Sequence, residues 1–416
     1  MSSPPGDRTF AVVTGGGTGG HVYPALAIAD ELVRRGHLPA TIRFLGSARG
    51  LEADAVPAAG FAIDLLPGRG LLRSLRPRAI AQNLRTAADT AVAVVRAFAL
   101  VRRLRPAVVV GVGGYAAAPA LLAARVLRIP TVVHEQNAAP GVVNRLAVAL
   151  GARAAVSLPD TALRGARLTG NPVRAAIVTG TRPDAASGVA VGEQPGEQPG
   201  TQVGEQPGEQ PGEQPGTQVG EQPGERPGEQ PAERVVGVFG GSLGARRVND
   251  ATLDLARRWR DRAGCTIRHV TGRRDYQRCV EEWERRPPGT DALNYELVEY
   301  EEDMAGFYRR ADVVVTRAGA VTVAELAVAA TPAVVVPLPG APSDHQGANG
   351  RALAAAGAAV LVPDDRCDGA RLAAELDALL AAPDRLDAMR RAARALARPD
   401  AAAAVADLVE EAARAR

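Results

Sequence analysis

Residues 10–21 read FAVVTGGGTGGH, an apolar run that leads into a glycine-rich turn and a histidine. The β-branched run predicts a strand, and Pro24 with the Ala/Leu stretch after it predicts a helix. Glycines allow backbone N–H groups to approach a diphosphate closely, and the start of a helix adds partial positive charge. The segment therefore predicts a strand, an anion-binding turn and a helix in sequence, which is typical of an α/β fold.

Short apolar runs alternate with helical Ala/Leu/Arg stretches along most of the chain, a pattern that predicts parallel strands joined by helices. We expect an α/β domain at 1–174, a linker with an insert at 175–233, and a second α/β domain at 234–416 whose last helix packs back on the first domain. Two doubly wound, Rossmann-like domains facing a central cleft are the simplest architecture. The predicted strands lie near Thr9–Thr14, Thr41–Leu45, Ala62–Leu65, Ala107–Gly111, Thr131–His134, Ala154–Val156, Val235–Phe239, Thr266–Val270, Tyr295–Val298, Val313–Thr316, Ala333–Val336 and Ala359–Val362.

Residues 192–231 repeat a four-residue unit, mostly Gly-Glu-Gln-Pro. Such a stretch has little to bury and its glutamates repel one another, so we expect an extended, disordered insertion; a partner-binding arm is the alternative. From Ala185 to Glu233 there are nine Glu and one Arg, so the rest of the chain carries about +11 against a formal +3 for the whole. A basic body suits polyphosphate ligands or an anionic lipid surface.

With 416 residues, 46% of them hydrophobic and 3% aromatic, the chain can form two domains with cores of Ala, Val and Leu. Arginines interrupt its longest apolar stretches, such as 91–104, which fall short of the roughly 20 residues that span a bilayer. The first residues lack the pattern of a secretion signal, so we expect a cytoplasmic protein without a transmembrane helix. The three cysteines show no metal-ligand spacing.

Two further motifs of the first half follow predicted strands. Gly111–Tyr115 (GVGGY) forms a second glycine-rich turn, and two such turns at neighbouring strand ends suggest one diphosphate-bearing ligand held from both sides. His134–Asn137 (HEQN) ends another strand with four polar side chains; ordinary structural turns are the alternative for each motif. The first turn also fits G-x-G-x-x-G, so a dinucleotide-binding oxidoreductase is a second hypothesis, although Leu45–Ser47 lacks the acidic residue usual at the end of the second strand.

The second half repeats the arrangement of strand, glycine turn and helix. Gly240–Arg246 reads GGSLGAR, in which Ser242 can donate to a phosphate. Arg317–Glu325 reads RAGAVTVAE and opens a helix, where Glu325 can accept two ribose hydroxyls or, alternatively, only complement the helix dipole. The imidazole and amide of residues 344–346 (DHQ) are candidates for fixing sugar hydroxyls.

Together these blocks resemble the MurG family of glycosyltransferases over nearly the whole chain outside the insert. The matching blocks are residues 16–24 (GGTGGHVYP), 113–115 (GGY), 134–137 (HEQN), 170–174 (GNPVR), 240–246 (GGSLGAR), 317–325 (RAGAVTVAE) and 344–346 (DHQ). The resemblance implies a GT-B fold and the inverting transfer of N-acetylglucosamine from UDP-GlcNAc to lipid I, which gives lipid II for peptidoglycan synthesis. It also implies peripheral attachment to the cytoplasmic face of the cell membrane.

The resemblance implies site residues block by block. We choose His21 as the catalytic base, because imidazole titrates near the working pH, and hold Glu135 and His134 in reserve. The acceptor diphosphate is expected at Gly16, Gly17, Gly113, Gly114 and Tyr115. Donor contacts are expected at Thr18, Gly19, Gly20, Asn137, Arg174, Ser242, Glu301, Ala320, Val321, Thr322, Val323, Ala324, Glu325 and Gln346.

Three positions depart from the family pattern. Glu301 stands where an apolar residue usually contacts uracil through its backbone, Ala330 stands where Gly is common, and Gly350 stands where Ala often follows Asn349. The first departure affects a donor contact, whereas the other two should affect packing more than chemistry.

We expect no cofactor and no obligatory metal, because the departing UDP can be stabilised by helix N-termini together with Ser242 and Arg174. The expected partners are UDP-GlcNAc, lipid I and an anionic membrane surface, with cell-wall synthesis proteins as further candidates and no nucleic acid. Residues 68–78 (GRGLLRSLRPR) are predicted to contact the lipid surface, or else to form a solvated loop. Two more functions are compatible with the same motifs, namely a GT-B transferase with a different acceptor and a non-catalytic sensor of nucleotide sugars.

Overall fold

The structure is a computed structural model that describes residues 8–67, 77–159, 161–180, 233–241, 244–286, 289 and 291–415, with the backbone alone for 77–88 and 342. The repeat insert, Ser242 and residues 68–76 lie outside the described residues. What the sequence predicts for them therefore stays a prediction.

Seven parallel strands form the sheet of the first domain, in the order β3-β2-β1-β4-β5-β6-β7. The strands are β1 Ala11–Thr14, β2 Ile42–Ser47, β3 Ala62–Leu66, β4 Val108–Gly111, β5 Thr131–Glu135, β6 Arg153–Val156 and β7 Arg167–Leu168. The helices are α1 Gly19–Arg34, α2 Glu52–Ala58, α3 Pro77–Leu104, α4 Ala118–Val126, α5 Val142–Ala149 and α6 Ala175–Thr179. The strand order reverses between β1 and β4, and ligands of such sheets bind at the carboxyl ends of the strands beside this point.

Six parallel strands form the second sheet, in the order β10-β9-β8-β11-β12-β13. The strands are β8 Arg234–Phe239, β9 Cys265–Val270, β10 Asn294–Val298, β11 Val313–Thr316, β12 Ala333–Val335 and β13 Ala359–Leu361. The helices are α7 Arg246–Arg258, α8 Tyr276–Glu284, α9 Met304–Arg310, α10 Ala320–Val328, α11 His345–Ala355, α12 Gly369–Leu380, α13 Pro383–Leu396 and α14 Ala401–Arg414. Here the order reverses between β8 and β11.

Every predicted strand is present with its ends within two residues of the prediction, and the doubly wound α/β class is confirmed. The strands are recognisable as continuous apolar runs because helices cover both faces of each sheet, so that Val12 and Val13 point in opposite directions and are both fully buried. The sequence does not predict strand β7. Its two residues are exposed and carry no hydrophobic pattern, and only their pairing with β6 defines them.

The last helix, α14, packs on the first sheet although it ends the second half of the chain. Val405 and Val409 lie in one buried cluster with Val13 of β1 and Val110 of β4. Each fully buried side chain of this size contributes about 1.5–3 kcal/mol to folding. The chain thus passes between the sheets twice, and α14 anchors the second passage to the first domain.

The two passages touch each other at Gly170. Its φ is +85°, and a Cβ there would lie 2.3 Å from Cβ of Arg398, just before α14. Only glycine tolerates both the left-handed conformation and this approach. The close contact fixes where the two sheets meet and so helps to define the crevice between them.

Candidate active site

The carboxyl ends of both sheets face one crevice, and side chains of the two domains meet across it. The hydroxyl of Tyr23, on α1, lies 3.3 Å from the hydroxyl of Tyr300, which follows β10. Asn349, on α11, accepts from the amide of Ala138 at 3.2 Å, and its Nδ2 lies 3.5 Å from Oδ1 of Asn137. Helix α1, which follows the first glycine turn, and the loop after the HEQN motif therefore both contact the second domain.

The first glycine turn, residues 15–18, is built around the carboxylate of Glu52. Gly17 N–H donates to Oε2 of Glu52 at 2.8 Å, and Ser47 N–H donates to Oε1 at 2.8 Å. A Cβ on Gly16 or Gly50 would lie 2.0 Å from a Glu52 oxygen, so a side chain at either position would displace the carboxylate. Glu52 is 1% exposed, and the carboxylate needs these two amides because a buried charge without partners is costly.

The sequence pattern does not reveal the role of Glu52. The end of β2 lacks an acidic residue, but Glu52, five residues later at the start of α2, places its carboxylate beside the turn. The Gly17 amide is committed to Glu52, whereas the first amides of α1, those of Gly19 and Gly20, have no acceptor one turn back. This favours the start of α1 over Gly17 as the anion site, and the assignment of the acceptor diphosphate stays a prediction.

His21 lies in the first turn of α1 and is held from two sides. Its Nδ1 lies 3.1 Å from Oε1 of Gln136, which follows β5. Gly113 and Gly114, with φ of +90° and +77°, pack against the ring, since a Cβ on either would lie 3.2 Å from a ring carbon. Burial lowers the pKa of His21 below its ordinary value, so the ring is neutral at neutral pH.

Glu135, the reserve base, has both oxygens occupied. Oε1 accepts from the amide and the side chain of Asn137 at 3.1 and 3.2 Å, and Oε2 accepts from Gly141 N–H and Asn144 Nδ2, both at 2.9 Å. Glu135 is 2% exposed. The geometry therefore makes it a support of the loop at 136–141 and favours His21 as the base.

His134, the second reserve base, is fully buried. Its Nε2 lies 2.9 Å from the carbonyl oxygen of Gly170, and its Nδ1 lies 2.9 Å from Nε2 of Gln136. Burial lowers the pKa of His134 to about 4. Because both ring nitrogens are engaged with protein groups, the side chain joins the loop to the passage between the domains.

In the second half, Glu325 lies in the second turn of α10 and is buried. Its Oε1 accepts from Nε and Nη2 of Arg174 at 3.1 and 2.9 Å, and its Oε2 accepts from the hydroxyl of Tyr308 at 3.0 Å. Burial raises the pKa of Glu325 in spite of this cationic partner. The guanidinium of Arg174 also stacks over the Tyr23 ring, 5.0 Å from its centre. Arg174 thus bridges the two halves beside the predicted ribose site.

The remaining donor positions lie along the start of α10 and the loop before α11. The side chains of Val321 and Val323 are buried, so any contact there comes from the backbone, whereas Ala320, Thr322 and Ala324 are partly exposed. Gln346 accepts from the amide of Leu338 at 3.0 Å. The hydroxyl of Tyr115 lies 3.4 Å from Oγ of Ser47, beside the first glycine turn.

Glu301, the first departure from the family pattern, forms hydrogen bonds through both carboxylate oxygens. Its Oε2 accepts from Nε of Arg268 at 2.8 Å, and its Oε1 accepts from Asp303 N–H at 3.2 Å. The side chain is therefore tied to β9, and the position can use its backbone as the family does. Ala330 has a φ of +51°, which explains why glycine is common there. A Cβ on Gly350 would lie 2.9 Å from a Leu361 methyl group.

Both halves of the chain match family models. Residues 11–156 match the glycosyltransferase family 28 N-terminal domain, and residues 235–407 match the glycosyltransferase family 28 C-terminal domain. A protein of Nitratidesulfovibrio vulgaris is 40% identical over 414 residues, which cover 96% of each chain. A protein of Desulforudis audaxviator is 35% identical over 410 residues, covering 96% of this chain and 97% of the other. Both are named UDP-N-acetylglucosamine--N-acetylmuramyl-(pentapeptide) pyrophosphoryl-undecaprenol N-acetylglucosamine transferase.

Two solved structures are similar to the chain. The crystal structure of MurG from Acinetobacter baumannii is similar with a TM-score of 0.66 and 26% identity, covering 97% of this chain and 100% of that one. CalG4, the calicheamicin glycosyltransferase, is similar in fold with a TM-score of 0.59 at 16% identity, covering 97% of this chain and 98% of that one. No helix in the described part of the chain has both the length and the apolar character needed to cross a membrane.

Proposed function

Because the chain belongs to glycosyltransferase family 28, and within it to the MurG family, we infer that it transfers N-acetylglucosamine from UDP-GlcNAc to lipid I. The product is lipid II, which serves peptidoglycan synthesis. The observation that carries this conclusion is 40% identity, over 96% of both chains, to a relative named for the reaction. The oxidoreductase hypothesis has no comparable support.

The donor nucleotide is assigned to the second domain. Glu325 is the ribose acceptor in this proposal, because its carboxylate lies in the second turn of α10 beside a cation, Arg174, which is proposed to contact the diphosphate. The amides that open α10 add partial positive charge. Together they would stabilise the charge that develops on UDP as the bond to the sugar breaks.

The acceptor is assigned to the first domain, with its diphosphate at the start of α1 and against Gly113 and Gly114. His21 is the base that takes the proton of the attacking hydroxyl. Three observations support this choice: the ring borders the crevice, it is neutral because burial lowers its pKa, and the neighbouring carboxylate Glu135 is fully engaged. In-line attack on the α-linked donor sugar inverts the anomeric centre and gives a β linkage.

For the membrane surface we propose an α4–α5 patch, defined by Leu122, Val126, Val142, Leu146 and Leu150. Their exposure ranges from 40% to 67%, and Arg125, whose Nε donates to Leu150 O at 3.0 Å, joins the two helices. The exposed Arg128 and Arg145 border the patch and suit anionic lipid phosphates. Helix α5 begins directly after the loop at 136–141, so the patch would bring the acceptor side of the crevice to the lipid surface, on the cytoplasmic face.

The test is a transfer assay with labelled UDP-GlcNAc and a lipid I analogue in vesicles, with UDP-glucose and UDP-galactose as competing donors. We expect label in the lipid fraction from UDP-GlcNAc and at least tenfold less transfer from the other two donors. Equal use of the three donors, or transfer to another glycolipid in preference to lipid I, would assign the chain to a different GT-B reaction.

A further inference from the structure

The identity of the basic atom on His21 depends on its tautomer. A neutral imidazole has one N–H and one bare nitrogen, and the hydrogen bond made by one nitrogen fixes the state of the other. Nδ1 of His21 faces Oε1 of Gln136 at 3.1 Å. The other contacts of Gln136 decide which way its side-chain amide is oriented, with the oxygen or the nitrogen toward His21.

The amide of Gln136 can be oriented in only one way. Its Nε2 lies 2.9 Å from the carbonyl oxygen of Val112 and 3.1 Å from the carbonyl oxygen of His134, and carbonyl oxygens only accept. Gln136 is 2% exposed, so a reversed amide would leave these acceptors facing another oxygen without water to relieve them. Oε1 is therefore the atom that faces His21, and the Nδ1 of His21 must donate.

The hydrogen bonds of His134 agree with this orientation of the Gln136 amide. His134 Nε2 faces the carbonyl of Gly170 and must donate, so its Nδ1 is bare and accepts from Nε2 of Gln136. Nε2 of Gln136 has two hydrogens for three acceptors, so one hydrogen is shared between two of them. The protons then have one consistent placement from Gly170 at the passage between the domains to His21 in the crevice. The carbonyl of Val112, which accepts from Gln136, also forms a hydrogen bond with His21. Nε2 of His21 is the ring nitrogen of the two histidines that contacts neither Gln136 nor Gly170.

We propose that Gln136 is a positioning residue that fixes His21 as the Nδ1–H tautomer, so that Nε2 is the atom that takes the proton of the acceptor hydroxyl. This rests on the proposed function. As the acceptor oxygen bonds to the anomeric carbon, its proton passes to Nε2, the bond between sugar and diphosphate breaks, and the electron pair leaves with UDP. His21 becomes an imidazolium whose Nδ1–H still donates to Gln136, and it later loses the Nε2 proton to solvent.

A neutral amide, and not a carboxylate, thus supports the base. Three titratable groups lie near His21. Glu135, the last residue of β5, accepts hydrogen bonds from the loop, His134 lies behind Gln136, and His345 approaches from α11 of the second domain. A carboxylate against Nδ1 would raise the pKa of His21 and leave it protonated at higher pH. The amide orients the ring as a neutral acceptor, whose hydrogen bond raises the pKa of His21 but adds no negative charge.

The first test reads the tautomer directly and needs no turnover. The full chain is labelled with ¹⁵N-histidine, and correlations between ring protons and nitrogens at pH 7.5 report which nitrogen carries hydrogen; the spectrum of His21→Asn identifies the signals of His21 among five histidines. We expect Nδ1–H in the unaltered chain and in Gln136→Glu, and a mixture or Nε2–H in Gln136→Leu. An Nε2–H tautomer in the unaltered chain, or no change in Gln136→Leu, overturns the proposal.

The second test uses the pH profile of kcat. In Gln136→Glu we expect the acid limb to move to higher pH by one unit or more, whereas Gln136→Leu should lose at least tenfold in kcat with KM for both substrates within twofold. If Gln136→Glu lowers kcat but leaves the acid limb of the pH profile unshifted, the role of Gln136 is merely structural. Leu376→Ala, a core change in α12, controls for lost thermal stability and should leave the tautomer and the limb unchanged. If the unaltered chain transfers no sugar, the proposed function fails while the tautomer remains measurable.

Discussion

Arg174 donates two hydrogen bonds to one oxygen of Glu325, from Nε at 3.1 Å and from Nη2 at 2.9 Å, and so ties the passage between the domains to helix α10. The other oxygen of Glu325 accepts from Tyr308. These three hydrogen bonds leave about one of the four lone-pair sites that the carboxylate offers. Glu325 can therefore accept one ribose hydroxyl with all three contacts intact, and a second only by replacing one of them.

Glu325→Gln keeps the shape of the side chain but removes its charge and replaces one acceptor by a donor. We expect KM for UDP-GlcNAc to rise about 10- to 100-fold with a much smaller change in kcat, since hydrogen bonds to charged groups are worth about 1.5–3 kcal/mol. Steady-state kinetics at saturating acceptor and calorimetric titration with UDP measure this. Glu302→Gln makes the same change at an exposed position of the same domain, and an equal effect of both variants would contradict the ribose assignment.

His21→Ala removes the base but leaves the donor site intact. We expect kcat to fall by about 10²- to 10⁴-fold, the usual contribution of a general base, with UDP affinity unchanged. In the unaltered chain, kcat should fall as the pH is lowered, because protonated His21 cannot accept a proton, and the midpoint should lie below 6.5 because burial lowers the pKa. An alanine variant that loses affinity for the acceptor and keeps its turnover at saturation would instead make His21 a diphosphate ligand.

Much of this site could be found from the sequence, because its glycine turns and polar motifs follow strands whose apolar runs are unmistakable. The reach of Glu52 back to Gly17 could not, since it depends on how α2 packs beside β1 and β2. The pairing of Asn349 with the loop of Asn137, more than 200 residues away, depends on the approach of two domains. The orientation of the Gln136 side-chain amide follows only from the carbonyl groups around it in three dimensions.

Gly50→Ala tests whether Glu52 organises the first glycine turn. Gly50 has no left-handed φ, so alanine is unfavourable only because its Cβ would lie 2.0 Å from Oε2 of Glu52. We expect the free energy of unfolding to fall by about 1–3 kcal/mol, the range for overpacking. In a Glu52→Ala background the same change should cost almost nothing. Chemical denaturation of the four proteins gives the coupling, and purely additive effects would contradict the contact.

Val142→Ser combined with Leu146→Ser tests the α4–α5 patch. These side chains are 67% and 60% exposed, so their replacement should not unfold the protein. We expect binding to vesicles containing phosphatidylglycerol to weaken at least fivefold, and transfer to a water-soluble acceptor analogue to be unchanged. Leu396→Ser, at a 40% exposed leucine of α13, is the matched control. Unaltered vesicle binding in the double variant would place the membrane contact elsewhere.

The linkage formed in the product tests most directly whether the acceptor hydroxyl attacks the donor sugar once, in line. UDP-GlcNAc carrying ¹³C at its anomeric carbon is incubated with a lipid I analogue, and the configuration of the new bond is read by NMR. Single attack predicts a β-linked N-acetylglucosamine on the lipid. An α-linked product, or release of free N-acetylglucosamine without a lipid-linked disaccharide, would contradict it.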